Sequence, residues 1–144
     1  MIRRTPLLLA LVWFAPAATA ATLDGLAGHD DLFGRYAPGG DCKHQPRIAV
    51  AKTGISFEVA GKTEKATRLE QALGYFGPDY QGIAKVIFPF TRPDGEYPIS
   101  MTFNSDEKPG ALVIEGHAEG FAGGPPPAAR NKALLDASPY ARCK

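Results

Sequence analysis

Along the middle of this chain apolar residues recur at every second position, the period of a strand with one buried face. Ile48 and Val50 alternate with small or polar neighbours, Lys52-Thr53-Gly54 reads as a turn, and Ile55, Phe57 and Val59 follow with Ser56 and Glu58 between them. That pattern predicts a hairpin, with Gly54 free to take a turn conformation that β-branched residues resist. Two further strands are expected over 83–90 and from Ile99 to Phe103. In the first, Ala84, Val86, Phe88 and Phe90 share one face and Ile83, Lys85 and Ile87 the other. Arg92-Pro93-Asp94-Gly95 joins them, Pro presetting φ and Gly taking the left-handed position. A last strand is expected over 111–117, weakened by Gly116.

Two stretches break the alternation. Thr67-Arg68-Leu69-Glu70 fits a capping box, a hydroxyl with a carboxylate three residues on, and Leu69, Ala72 and Leu73 would share a helical face. A short helix is therefore expected there, stopped by Gly74, Gly77 and Pro78. A second is expected over 128–137 with Leu134 and Leu135 as its contacts, after the extended Gly/Pro run 123–127. Residues 21–46, with Pro38 and Gly39-Gly40, read as an irregular lead-in. The sum is an α+β, β-rich domain: an antiparallel meander of five to six strands, or a partly closed barrel, with one or two short helices covering one face. That face would carry Ile48, Val50, Ile55, Phe57, Val59, Val86, Phe88, Ile99, Met101 and Phe103, and closing it should use up the few apolar covering residues, leaving no deep pocket.

The first twenty residues have a different character. Arg3 and Arg4 precede eight apolar residues at 7–14, Pro16 breaks the run, and Ala18-Thr19-Ala20 offers a small-x-small cleavage site. This is the composition of a secretory signal peptide over 1–20, leaving one domain over 21–144. Pro6 stands where a twin-arginine signal wants a large apolar residue, which favours the general secretory route. No later segment is apolar for 18 residues, so no membrane insertion is expected after cleavage.

Removing the signal also changes the charge. The chain has 16 Lys+Arg and 15 Asp+Glu, and two arginines leave with the signal, so the mature chain carries −1. A mixed, near-neutral surface lacks the basic footprint of nucleic-acid binding. Cys42 and Cys143 both remain, and in an oxidising periplasmic or extracellular compartment the pair is expected to form one disulfide.

Candidate chemistry is sparse. Glu115, His117 and Glu119 would point the same way on a continued strand and are ligand types for a divalent metal, with His29 and His44 as outlying imidazoles. Their alternative is a solvated strand end. No nucleophile elbow, C-x-x-C pair, H-E-x-x-H helix or phosphate loop occurs. With both cysteines in a disulfide no thiol nucleophile is left, and nothing in the sequence points to an enzyme or a cofactor. Aromatic residues near turns, Phe76 and Tyr80 above all, with Tyr75, Tyr97 and Tyr140, suit partner recognition or packing. The stretch Phe33-Gly34-Arg35-Tyr36-Ala37-Pro38-Gly39-Gly40-Asp41-Cys42 resembles the opening of small exported, disulfide-bonded β-domain proteins of Gram-negative bacteria, and the architecture is similar to that of periplasmic lysozyme inhibitors. The resemblance implies a β-rich periplasmic domain. The functional expectation is a non-catalytic periplasmic or secreted binding module, such as an inhibitor, an immunity protein or an envelope accessory protein. Its partner would be a protein or another envelope component. The alternative is a metal-binding protein or metal-dependent hydrolase using Glu115, His117 and Glu119.

Overall fold

The computed structural model describes residues 20–74 and 78–144. They form one antiparallel sheet curled into a half-barrel, with ten strands among the described residues rather than the five to six expected. The strands are β1 (Ala20–Asp24), β2 (Gly34–Pro38), β3 (Arg47–Ala51), β4 (Gly54–Val59), β5 (Lys62–Ala66), β6 (Arg68–Ala72), β7 (Lys85–Phe88), β8 (Ile99–Phe103), β9 (Ala111–Gly116) and β10 (Tyr140–Arg142). They lie in the order β1-β6-β7-β8-β9-β10-β2-β3-β4-β5. Among the described residues a single α-helix, α1 (Ala129–Asp136), fulfils the second of the two helical expectations.

Residues 67–73 form no helix; Leu69 lies in β6, opposite Leu23 of β1, and is buried. A capping box is worth about 1 kcal/mol to a helix end. Here it loses to ladder hydrogen bonds from β1 on one side and β7 on the other, together with the burial of Leu69. The lead-in is not irregular either: it supplies β1, β2 and a 3-10 turn at Asp30–Leu32, and it buries Leu26, Leu32 and Tyr36. Two more strands lie beyond those expected, the three-residue β10 and β5, whose residues Lys62, Thr63, Glu64 and Lys65 are all exposed. An edge strand with one buried residue has no apolar period to read.

The face expected of the third strand is also reversed. Ile87 lies in the core, while Phe88 lies outside the core cluster, covered by Tyr97, which stacks on it at 4.2 Å, and by His117 at 5.1 Å. Strand β7 is four residues long, with Lys85 and Ile87 on one face and Val86 and Phe88 on the other, so its own pattern leaves the inward face open until its neighbours are known.

Curling follows from one corner. Only Thr67 separates β5 from β6, yet β5 pairs with β4 while β6 pairs with β1 and β7. The two ends of the strand order are thereby drawn toward each other. Gly54 lies against this bend with φ at +130°, and a Cβ there would sit 2.2 Å from the Ala66 carbonyl oxygen, so only glycine fits. The enclosed space is filled by side chains, among them Tyr36, Phe57, Phe103, Ile48, Met101 and Leu112. Tyr36 meets Phe103 edge to face at 5.6 Å.

Each end of the half-barrel has its own stopper. At one, Leu26 and Leu32 are fully buried, and Leu26 N–H donates to the Lys52 carbonyl at 2.8 Å. At the other, α1 packs on β4 and β9 through Leu134. Cys42 and Cys143 are joined in a disulfide with Cα atoms 5.8 Å apart, closing 101 positions of chain. No helix among the described residues is long and apolar enough to cross a membrane.

Candidate functional site

The Glu115-Gly116-His117-Ala118-Glu119 segment is where the sequence places a metal, and the structure sends its three side chains to different tasks. Glu115 is exposed on β9, opposite Ser100. His117 leaves the strand period: its N–H donates to the Pro98 carbonyl at 3.0 Å, and its ring lies against Phe88. Glu119 is buried, and its carboxylate accepts from the Asn131 side-chain amide and from the Ala128 N–H at 3.4 Å. Ala128 is the residue that opens α1 and brings no capping side chain of its own. Glu119 therefore supplies, from a distant loop, the carboxylate that a helix start favours. No group of three or more His, Cys, Asp or Glu among the described residues is placed to hold a metal. His29 instead contacts the Gln71 side chain at 3.0 Å, and His44 pairs with exposed Asp41.

Of the aromatic candidates, Tyr75 and Phe76 lie outside the described residues. Tyr80 is partly buried and lines an open cleft of about 430 Å³ with Asp79, Asp106 and Glu107. Glu107 holds that rim in place by accepting the N–H groups of Gln81 at 3.0 Å and Ile83 at 3.1 Å. Tyr140 is structural: its hydroxyl donates to the Leu134 carbonyl at 2.9 Å, and burial pushes its pKa well above the ordinary 10.0.

The cleft with the most apolar wall lies elsewhere, between α1 and the β4-β5 hairpin. Its volume is about 570 Å³, within the range of ligand sites, and it is open to solvent on one side. Phe57 and Val59 form one wall, Ala129 and Ala133 the other, and Lys62, Thr63 and Glu64 the rim. The wall on the sheet side follows from register. Val59 faces Lys62 and Phe57 faces Glu64, so all four side chains share the concave surface. The helix contributes alanines there, which leave room between backbone and sheet.

Arg130 spans the cleft. Its guanidinium sits 3.5 Å over the Phe90 ring, donates to Glu64 at 2.5 Å and to Asn131 at 2.9 Å. Phe90 in turn packs on Phe57 at 5.0 Å. The arginine is thus pinned by an aromatic face and a carboxylate. Below the hairpin, Arg47 and Gln45 fix Glu58, and its hydrogen bonds with Arg47 hold the Glu58 carboxyl below the ordinary 4.5.

None of the cleft residues stands out in the sequence as a site. The usable signal was the meeting of a short alanine-bearing helix with a polar strand, and neither their adjacency nor the strand was legible beforehand. No protein family, curated protein or solved structure matches the chain.

Proposed function

We propose that this chain is an exported, non-catalytic binding module that meets its envelope or extracellular partner at the cleft between α1 and the β4-β5 hairpin. One observation carries this reading: the interior of the half-barrel is taken up by packed side chains, whereas this cleft keeps Val59, Ala129 and Ala133 accessible beside fixed polar groups. A surface of that kind suits recognition. Its polar groups, Arg130 and Glu64, are paired with each other, an arrangement that orients a partner and has no poised base or nucleophile beside it. Export is supported by the composition of residues 1–20 and by the disulfide, which persists in oxidising compartments.

The test is capture from envelope extract with the disulfide-intact protein and with Ala133→Trp, whose indole would fill the cleft. A component retained by the first and lost with the second supports the reading. Equal retention by both, or turnover of an envelope substrate by the protein, would overturn it.

A further inference from the structure

The edge of β5 beside this cleft lacks a neighbour. Strand β5 ends the sheet order and pairs only with β4. Its hairpin turns on Ala60 and Gly61, with φ of +50° and +75°, the two-residue type I′ geometry that makes Val59 and Lys62 a hydrogen-bonded pair. Bonded pairs then alternate: 59 with 62, 57 with 64 and 55 with 66. The remaining residues, Thr63 and Lys65, turn their N–H and C=O groups away from β4. The bend at Thr67 takes β6 off to β7, so the place beyond β5 is a gap in the barrel wall with α1 as its far side.

The charge along this edge is one-sided. The nearby carboxylates are already engaged, Glu64 with Arg130 and Glu58 with Arg47. Lys62 and Lys65 are exposed and have no acidic partner within ion-pairing distance among the described residues, and across β4 they face Val59 and Ser56. A second copy pairing edge to edge would set lysines against lysines, which destabilises a ladder.

We propose that β5 takes up an extended acidic peptide as an added strand, its main chain bonding Thr63 and Lys65, its carboxylates meeting Lys62 and Lys65, and an apolar side chain entering the cleft against Phe57 and Val59. This rests on the cleft being the binding surface and names what fills it. Strand addition divides the work in the usual way: main-chain bonds supply affinity and the side-chain pocket supplies selectivity.

The probe is a labelled, end-blocked octapeptide of Val and Glu in the order Val-Glu-Glu-Val-Glu-Glu-Val-Glu, which puts both residue types on each face because Lys62 and Lys65 point to opposite faces, followed by fluorescence anisotropy on the full, disulfide-intact protein. Binding is expected, weakening as salt rises. It should be lost in a Val-Lys peptide and in a Val-Glu peptide N-methylated throughout, which cannot pair as a strand. Thr63→Pro removes one outward N–H without touching the β4 ladder and should weaken binding about tenfold. Lys62→Glu combined with Lys65→Glu leaves the backbone intact and should weaken it further. Equal binding of the N-methylated or the lysine peptide, no binding of the Val-Glu peptide, or a dimer joined through β5 in sedimentation would each overturn the proposal. If no peptide binds while Ala133→Trp still abolishes capture of an envelope component, strand addition fails and the cleft reading stands.

Discussion

The two ends of the half-barrel are closed to different degrees. At the end where β2 begins, Leu26 and Leu32 plug the opening, and polar groups tie the plug down: Arg142 donates to the Asp31 carbonyl at 2.5 Å and to the Tyr36 hydroxyl at 3.0 Å, and Lys85 pairs with Asp31 at 2.8 Å. The disulfide follows one residue after Arg142. At the other end α1 buries Leu134 but leaves the cleft beside its alanines, spanned by exposed or half-exposed ion pairs. One end uses its contacts for closure, and the other keeps apolar wall accessible. The difference locates the part of the molecule able to bind.

The largest effect should come from the covalent tie at the closed end. Replacing both Cys42 and Cys143 by Ser should cost about 4.7 kcal/mol by the loop-entropy relation for about 100 residues. Urea unfolding under oxidising conditions measures it; a loss under about 1 kcal/mol would show that the closed end stands without its clasp.

A paired substitution addresses the contrast itself. Leu32→Ala and Leu134→Ala remove equally buried side chains. Leu32 is walled on all sides, so its cavity cannot collapse and should cost about 4 kcal/mol, whereas the helix over Leu134 can settle into the cleft and should cost about 2.5 kcal/mol. Equal losses, or the reverse order, would deny that the α1 end is the more yielding.

Glu119→Ala should cost about 2 kcal/mol, since it uncaps α1 and leaves the buried Asn131 amide without its carboxylate. Faster amide exchange confined to α1 would accompany the loss, and adding divalent metal should make no difference to either protein.

The smallest effect is set by acid. Glu58 titrates below 4.5 in the folded chain because Arg47 hydrogen-bonds its ionised form. Its contribution is therefore fully present above the unfolded value and is lost as pH falls through the lowered folded one. Both groups are half-exposed, so the change is small and should fall with salt. Glu58→Gln should flatten the dependence of stability on pH below 4.5, while leaving stability at neutral pH nearly as it was; an unchanged slope would remove Glu58 from the acid response.

Some of this was legible residue by residue, for a physical reason in each case. The hairpin of β3 and β4 shows in sequence because Ile48, Val50, Ile55 and Phe57 lie toward the core while their neighbours meet solvent. β8 shows for the same reason, and α1 because proline and glycine isolate it. By contrast β6 carries a helix-start signal that only its two neighbours overrule, and β5 carries no apolar signal whatever. Glu119 looks like a ligand next to His117 because adjacency in sequence is all that can be read; its true partner, Asn131, lies twelve positions on.

By itself, then, the sequence determined the β-rich class, the pairing of its only two cysteines and the position of the helix, since these depend on local periodicity, chain-breaking residues and a choice of one. Tertiary structure decided the number of strands, which face of β7 turns inward, the work of Glu119 and the existence of the cleft. Each of those depends on which segments become neighbours. The bend at Thr67 decides that by parting β5 from β6, so that one edge is left facing α1 without a partner strand.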